Sequence, residues 1–272
     1  MAMNGNGRTH AYYAEAHAIA KQAKDSYGAN LAAYGQIFLD PENGGEFCSE
    51  PGRLDVENGF CVGSSHMVVT GKLCDSGWVT TASSVLEGVN VRGVLTADRI
   101  EGKIFSTHPL QGYMPAIEFQ EVKYTNLRIK GDVVTPQIDR AILGPTPEDA
   151  VGKDPNSDPY LDEWLTSDTF LGNVRNQDAR IADNPRAPDF ARARFRRKPG
   201  KCTVECALVS TIDNVPSQYR TAGHVIEVPG FGNVFVGELS VGRHFDLNMI
   251  RLELEDGIFT LGGPGVNGKT KP

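Results

Sequence analysis

The sequence predicts an all-β protein: an antiparallel β-sandwich or flattened barrel with a long irregular insertion at 144–201. Two observations indicate this class. Apolar and polar residues alternate with a period of two over much of the chain, as in half-buried strands. Turn residues recur about every 8–12 positions, as in sandwiches and barrels. The 30 glycines and 16 prolines supply these turns. We expect a single domain over residues 1–272.

The N-terminal part contains one segment with two interpretations. Residues 11–21 are rich in alanine, which favours a helix. The alanines at 14, 16, 18 and 20 nevertheless alternate with larger residues, which favours a strand. We predict a strand here. An apolar run over 31–39 follows, and the loop at 40–45 ends it.

Two long regions are predicted as successive strands. The first is 60–143, where Gly131 and Asp132 separate two short β-branched runs and indicate a hairpin. The second is 202–261, with a hairpin around 229–232 and an alternating strand over 247–254. A flexible tail at 262–272 is predicted from its glycine-rich composition.

The insertion at 144–201 differs from its surroundings, since it is rich in proline, aspartate and asparagine. It has too few apolar residues for a core of its own, so we interpret it as an insertion between strands rather than a domain. A short helix is predicted after Asp158, with Pro159 in its first turn.

Two charged segments of the insertion are candidate sites. Part of its acidic loop matches the first half of an EF-hand, but Pro159 stands where that motif needs glycine, so only a looser calcium site remains as a candidate. The candidate calcium ligands are Asp154, Asn156, Asp158 and Asp162. A basic strip follows, which at strand spacing indicates either a contact with an acidic partner or a charged, protected edge strand. Its residues are Arg192, Arg194, Arg196, Arg197 and Lys198.

The cysteines allow three interpretations. Cys48, Cys61 and Cys74 are thirteen positions apart, which is too wide for a compact zinc knuckle. Buried free thiols and one or two disulfides are therefore the main alternatives, with a metal site as the third. The disulfide candidates are Cys48, Cys61, Cys74, Cys202 and Cys206. The six histidines have no metal-pair spacing, and a metal site would have to be assembled in three dimensions.

Composition and motifs limit the function. A formal net charge of -7 argues against a general nucleic-acid binder, and no apolar run is long enough for a transmembrane helix. No signal peptide is visible before residue 8. The sequence has no nucleophile elbow, phosphate-binding loop or dinucleotide fingerprint, so it assigns no catalytic residue and no cofactor other than calcium.

Four segments carry a resemblance to known proteins: 84–100 and 125–131 in the first run of predicted strands, and 226–239 and 249–254 in the second. They resemble bacterial exported proteins of the choice-of-anchor type, and the resemblance covers about half of the chain. It implies an all-β protein that is extracellular or on the cell surface. Its shared motifs are turns and strands, so it supplies no catalytic residues.

We therefore expect a non-catalytic extracellular structural or interaction protein, which forms a homo-oligomer or polymer such as a filament or surface layer. Strand edges and charge blocks of opposite sign favour this assembly. The alternative is a β-barrel enzyme or binding protein with a small-molecule or carbohydrate ligand. Such a protein would need a pocket with convergent polar groups, or exposed tryptophans such as Trp78 and Trp164 for stacking on a sugar.

Overall fold

The computed structural model describes residues 2–3, 8–22, 30–56, 59–148, 164–195, 203–242 and 244–271. It confirms the predicted all-β sandwich, because strands make up 60% of the chain and helices 11%. No helix in these ranges is long and apolar enough to cross a membrane. In chain order the elements are β1 (Ala2–Met3), β2 (Thr9–Gln22), β3 (Asn30–Tyr34), β4 (Ile37–Phe38), β5 (Gly45–Ser49), β6 (Leu54–Val56), β7 (Phe60–Val62), β8 (Ser64–Cys74), β9 (Gly77–Val91), β10 (Leu95–His108), β11 (Ala116–Thr125), β12 (Arg128–Ile129), β13 (Asp132–Val133), β14 (Thr135–Ile138), α1 (Asp168–Ala182), α2 (Asp189–Arg194), β15 (Val204–Ala207), β16 (Val209–Asp213), β17 (Arg220–Ala222), β18 (Val225–Val228), β19 (Gly232–Val241), β20 (Phe245–Leu254) and β21 (Gly257–Lys271).

Ten strands form the first sheet, sheet A, in the order β1-β2-β21-β20-β19-β18-β17. Strands β3 and β4 pair with β2 on its other side, and β15 pairs with β19. The alanine-rich segment is strand β2, as predicted, and Ala16, Ala18 and Ala20 are fully buried in it. Their small side chains let neighbouring layers approach the strand closely.

Nine strands form the second sheet, sheet B, in the order β13-β12-β10-β9-β7-β6. Strand β8 also pairs with β9 and carries β5 on its outer side, while β11 pairs with β10. Strands β14 and β16 form a separate two-stranded sheet. All the pairings within the described ranges are antiparallel, which agrees with the predicted hairpins.

The core lies between the two sheets, where β2 and β21 of sheet A contact β8, β9 and β10 of sheet B. Its large side chains include Phe60, Trp78, Leu86 and Ile104, all at most 1% exposed. Phe60 stacks on Phe259 of sheet A with ring centroids 4.2 Å apart. Alternate residues of each strand supply this core, and the residues between them form the outer faces.

Helices α1 and α2 occupy most of 164–195, the larger described part of the insertion, which corrects the prediction of an irregular segment there. Helix α1 is capped by Ser167, whose Oγ accepts a hydrogen bond from the Phe170 backbone N–H at 3.3 Å. Its buried face contains Phe170, Val174 and Ile181, spaced four and seven residues apart. Polar residues surround these three positions and hid the helical period. The helix predicted to begin at Pro159 starts outside the described residues.

The C-terminal segment is a strand, which corrects the prediction of a flexible tail at 262–272. Strand β21 lies between β2 and β20 and pairs with both. Its glycines leave space for two buried imidazoles: a Cβ at Gly263 would lie 2.0 Å from His17 Cε1, and one at Gly268 would lie 2.4 Å from His10 Nε2. Here glycine indicates close packing rather than flexibility.

Candidate functional site

The basic strip is not a strand in the structure. Arg192 and Arg194 lie on helix α2, so the predicted strand spacing is wrong for this part. Arg192 Nη2 donates to the carbonyl oxygens of Asn184 and Pro185, at 3.1 and 2.8 Å. These bonds hold the side chain against the turn before α2. Arg196, Arg197 and Lys198 lie outside the described residues.

Arg194 belongs to an ion-pair network within the chain. It contacts Glu205 at 2.7 Å, Glu238 at 2.9 Å and Glu253 at 3.3 Å. Arg251 pairs with Glu238 and Glu253 in the same network, and its guanidinium lies 3.7 Å from the Phe235 ring centroid. Glu238 and Arg251 are buried, so the network fixes helix α2 on sheet A. The network has two arginines and three glutamates, and Arg194 contacts all three carboxylates, which leaves its guanidinium little capacity for an external acidic partner.

The structure describes only some of the other predicted site residues. The candidate calcium ligands Asp154, Asn156, Asp158 and Asp162 all lie outside the described residues, as does Cys202. The remaining cysteines are free thiols, so no disulfide joins cysteines within the described ranges. Only one of these four thiols is buried, which limits the alternative of buried free thiols to Cys206.

Four histidines are packing residues in the interior. Burial lowers the pKa of His10 to about 3 and the pKa values of His17 and His224 to about 4, and it lowers the pKa of His108 well below its usual range. The His10 ring stacks on Trp78 at 5.3 Å between centroids. These imidazoles are therefore neutral at pH 7 and inaccessible to an external ligand.

An exposed cluster on the outer face of sheet B is the strongest candidate site. Cys48 lies on β5, Glu50 follows two residues later, and His66 lies on the adjacent strand β8. Residues two apart on a strand share a face. The register pairs Cys48 with Val68 and Ser49 with Met67, which brings His66 beside Glu50.

The Cys48 and Glu50 side chains both face the same ring nitrogen of His66. His66 Nδ1 lies 2.9 Å from Glu50 Oε1 and 3.8 Å from Cys48 Sγ. The third distance, from Cys48 Sγ to Glu50 Oε1, is 4.0 Å. Sulfur, nitrogen and oxygen donors therefore surround a single point, and these are atoms that could hold a metal ion.

A groove of about 420 Å³ opens beside the cluster. Glu50 and His66 line it, together with Glu87 and Arg99, which form a 2.6 Å ion pair. The Ser64 hydroxyl donates to Glu87 Oε2 at 3.1 Å. The groove thus brings charged groups of both signs next to the cluster.

The arrangement does not fit a thiol nucleophile. A Cys–His–acid relay uses the two different ring nitrogens of histidine, one for the nucleophile and one for the orienting carboxylate. Here both neighbours face Nδ1. Local desolvation and the carboxylates of Glu50 and Glu46 also raise the pKa of the Cys48 thiol, which disfavours the reactive thiolate.

Sequence reasoning missed this cluster. Motifs of histidines or cysteines close together in sequence do not reveal ligands that come from two different strands. The one local signal is Cys48-Ser49-Glu50, a cysteine and a carboxylate two residues apart, and it has meaning only once 45–49 is known to be a strand.

Residues 10–242 match a protein family described as a domain of unknown function, DUF8256. No curated protein and no solved structure matched the chain. The resemblance to choice-of-anchor proteins is not addressed by this match and stays a prediction. Because the match spans far more than half of the chain, the protein belongs to the DUF8256 family.

Proposed function

We propose that this protein is a non-catalytic structural or interaction protein that assembles with copies of itself through one lateral edge of the sandwich. We define the lateral edge as strands β3, β4 and β5 with the end of β8. Strands β3 and β4 pair with β2, and β5 pairs with β8, while no described strand pairs with their outer sides. Since β4 also contacts β5, the open edges of both sheets meet here.

The observation that carries the proposal is the exposure of large apolar side chains along this edge. Tyr34, Phe38, Phe47 and Leu73 are 37%, 54%, 43% and 42% exposed, one on each of the four strands of the lateral edge. Proteins usually protect open edges with lysine, proline or a covering element, because an open apolar edge recruits other strands. Strand β5 has the sequence Gly-Glu-Phe-Cys-Ser, and β4 is Ile-Phe, so neither has these protecting residues.

A second copy of the chain is the occupant that this edge fits. Two identical edge strands can pair antiparallel about a two-fold axis, which satisfies the free backbone groups of both. The location outside the cell or at the cell surface is proposed from the family resemblance. The alternative of a carbohydrate module gains little support, because Trp78 and Trp164 are at most 2% exposed and unable to stack on an external sugar.

Analytical ultracentrifugation over a range of protein concentrations tests the proposal. We expect the wild-type protein to form dimers or larger species, and the single variants Phe38→Lys and Phe47→Lys to shift it to monomer. The matched control is Val133→Lys, which changes an exposed apolar residue on β13, a strand outside the lateral edge. A wild-type protein that stays monomeric at the highest soluble concentration would refute assembly. A control variant as disruptive as Phe47→Lys would refute the choice of edge.

A further inference from the structure

The geometry points to a binding site for one Zn²⁺ ion, formed by Cys48 Sγ, Glu50 and His66 Nδ1. This inference rests on other observations than the proposed self-assembly, although Cys48 lies on β5, a strand of the lateral edge. It starts from the donor types. Thiolate sulfur and imidazole nitrogen are the ligands that zinc prefers, and a carboxylate oxygen commonly completes its shell. Calcium and magnesium select oxygen ligands, so the sulfur and nitrogen donors argue against both.

The distances between the donors agree with a shared tetrahedral ion. Ligand atoms at about 2.0–2.3 Å from zinc lie about 3.3–3.6 Å from each other when the angles are tetrahedral. The observed separations are 2.9, 3.8 and 4.0 Å. Each pair therefore needs to move by only about half an ångström to place an ion between the three atoms.

The backbone holds two of these donors on adjacent paired strands. Cys48 is on β5 and His66 on β8, and the register between these strands is continuous from Gly45 to Ser49. A rigid scaffold of this kind keeps the donors close before the ion arrives, which lowers the cost of binding. The Glu50 side chain is 70% exposed and the His66 side chain 45% exposed, so an ion can enter directly from solvent.

Three protein ligands leave the fourth position of the ion open. This is the pattern of zinc sites that keep a water or accept an external ligand, rather than of closed structural sites. The groove beside the cluster provides the room, and Glu50 and His66 border it. On binding, the Cys48 thiol gives its proton to solvent and the sulfur becomes a thiolate ligand.

Co²⁺ is a suitable probe, because it occupies zinc sites and shows a thiolate-to-metal charge-transfer absorption band. We expect one Co²⁺ per chain in the presence of a phosphine reductant, with this band, and displacement of Co²⁺ by Zn²⁺. The variants Cys48→Ser, Glu50→Gln and His66→Gln should each weaken Zn²⁺ binding in calorimetry by more than tenfold, since loss of even an outer partner costs about 10–100-fold. Cys48→Ser should also abolish the band.

Two control variants separate this cluster from other donors. Glu46→Gln removes an exposed carboxylate on the same strand, and Cys61→Ser removes the thiol that hydrogen bonds with Asp55. Both controls should keep the affinity and the band. Binding without a thiolate band, binding that all three cluster variants retain, or loss of the band in Cys61→Ser would each overturn the inference. The three altered side chains are exposed or half-exposed, and an unchanged circular dichroism spectrum confirms that the variants fold.

Discussion

Glu238 is the residue whose removal tests the ion-pair network most directly. It lies on β19 and accepts hydrogen bonds from Arg251 Nε, from Arg251 Nη2 at 3.1 Å and from Arg194 Nη2 at 2.9 Å. The Glu238 and Arg251 side chains are only 8% and 9% exposed. Glu238→Gln keeps the shape of the side chain but removes the charge that balances two guanidinium groups. Removing one partner of a buried ion pair costs about 3–5 kcal/mol.

The acidity of Glu238 gives a second measure of the same interaction. Burial raises its pKa, but Arg251 and Arg194 together lower it to about 2, against an ordinary value of 4.5. This difference corresponds to about 3 kcal/mol. Because the pKa is lower in the folded state, this stability is fully present above pH 4.5 and is lost as the pH falls through about 2. At pH 7 the ion pairs of Glu238 therefore make their full contribution to the free energy of unfolding.

Urea unfolding at pH 7, followed by circular dichroism, is the assay. We expect Glu238→Gln to lower the free energy of unfolding by about 3 kcal/mol. The matched control is Arg194→Met, which leaves Glu238 paired with Arg251 and should cost about 1 kcal/mol, because Arg194 is 24% exposed. A loss below about 1 kcal/mol for Glu238→Gln would refute the reasoning, as would equal losses in the two variants.

Three further predictions concern stability. Burial lowers the pKa of His17 and of His224 to about 4, against 6.5 in the unfolded chain. The stability that depends on these two imidazoles being neutral is therefore fully present above pH 6.5 and is lost as the pH falls through 4. At about 3 kcal/mol each, they should cause acid unfolding above pH 4 in a circular dichroism titration. Gly77→Ala should cost about 2 kcal/mol or more in urea unfolding, because φ is +128° and the new Cβ would lie 2.0 Å from the His108 carbonyl oxygen. Deleting 262–271 should abolish the cooperative transition in calorimetry, because β2 and β20 lose a shared partner.

Each of these predictions has a control or a contradicting result. A chain that stays folded well below pH 4 would contradict the role of the two buried histidines in acid unfolding. Gly52→Ala should have little effect, since nothing lies within 4 Å of the added Cβ. A shortened chain that still melts cooperatively near the wild-type temperature would show that residues 262–271 of β21 are dispensable.

The strand regions were predictable because their signal is local. Alternation and turn spacing predicted strands over 60–143 and 202–261, and the structure places β7 to β14 in the first region and β15 to β20 with the start of β21 in the second. Two elements were missed because tertiary packing decides them. Helix α1 buries only a few apolar residues among polar ones, and β21 is rich in glycine because His10 and His17 occupy the space beside it.

The candidate site was less predictable than the fold. Cys48 and His66 are 18 positions apart, and they meet only because β5 pairs with β8 in one register. A shift of that register by one residue would move His66 away from Glu50, to the opposite side of the pleat. The chemistry of the cluster therefore depends on the long-range pairing of β5 with β8, which residue types and local spacing do not predict.

The pairing of β2 with β21 has a consequence for synthesis on the ribosome. Residues 9–22 find their partner only at 258–271, after the rest of both sheets has been translated. Before residues 258–271 are synthesised, one side of β2 is unpaired and its apolar surface is exposed in the nascent chain. Contacts of such large sequence separation slow folding and prolong the aggregation-prone interval. The synthesis of residues 258–271, rather than of the first hairpin, thus determines when both sides of β2 are paired and its exposure to aggregation ends.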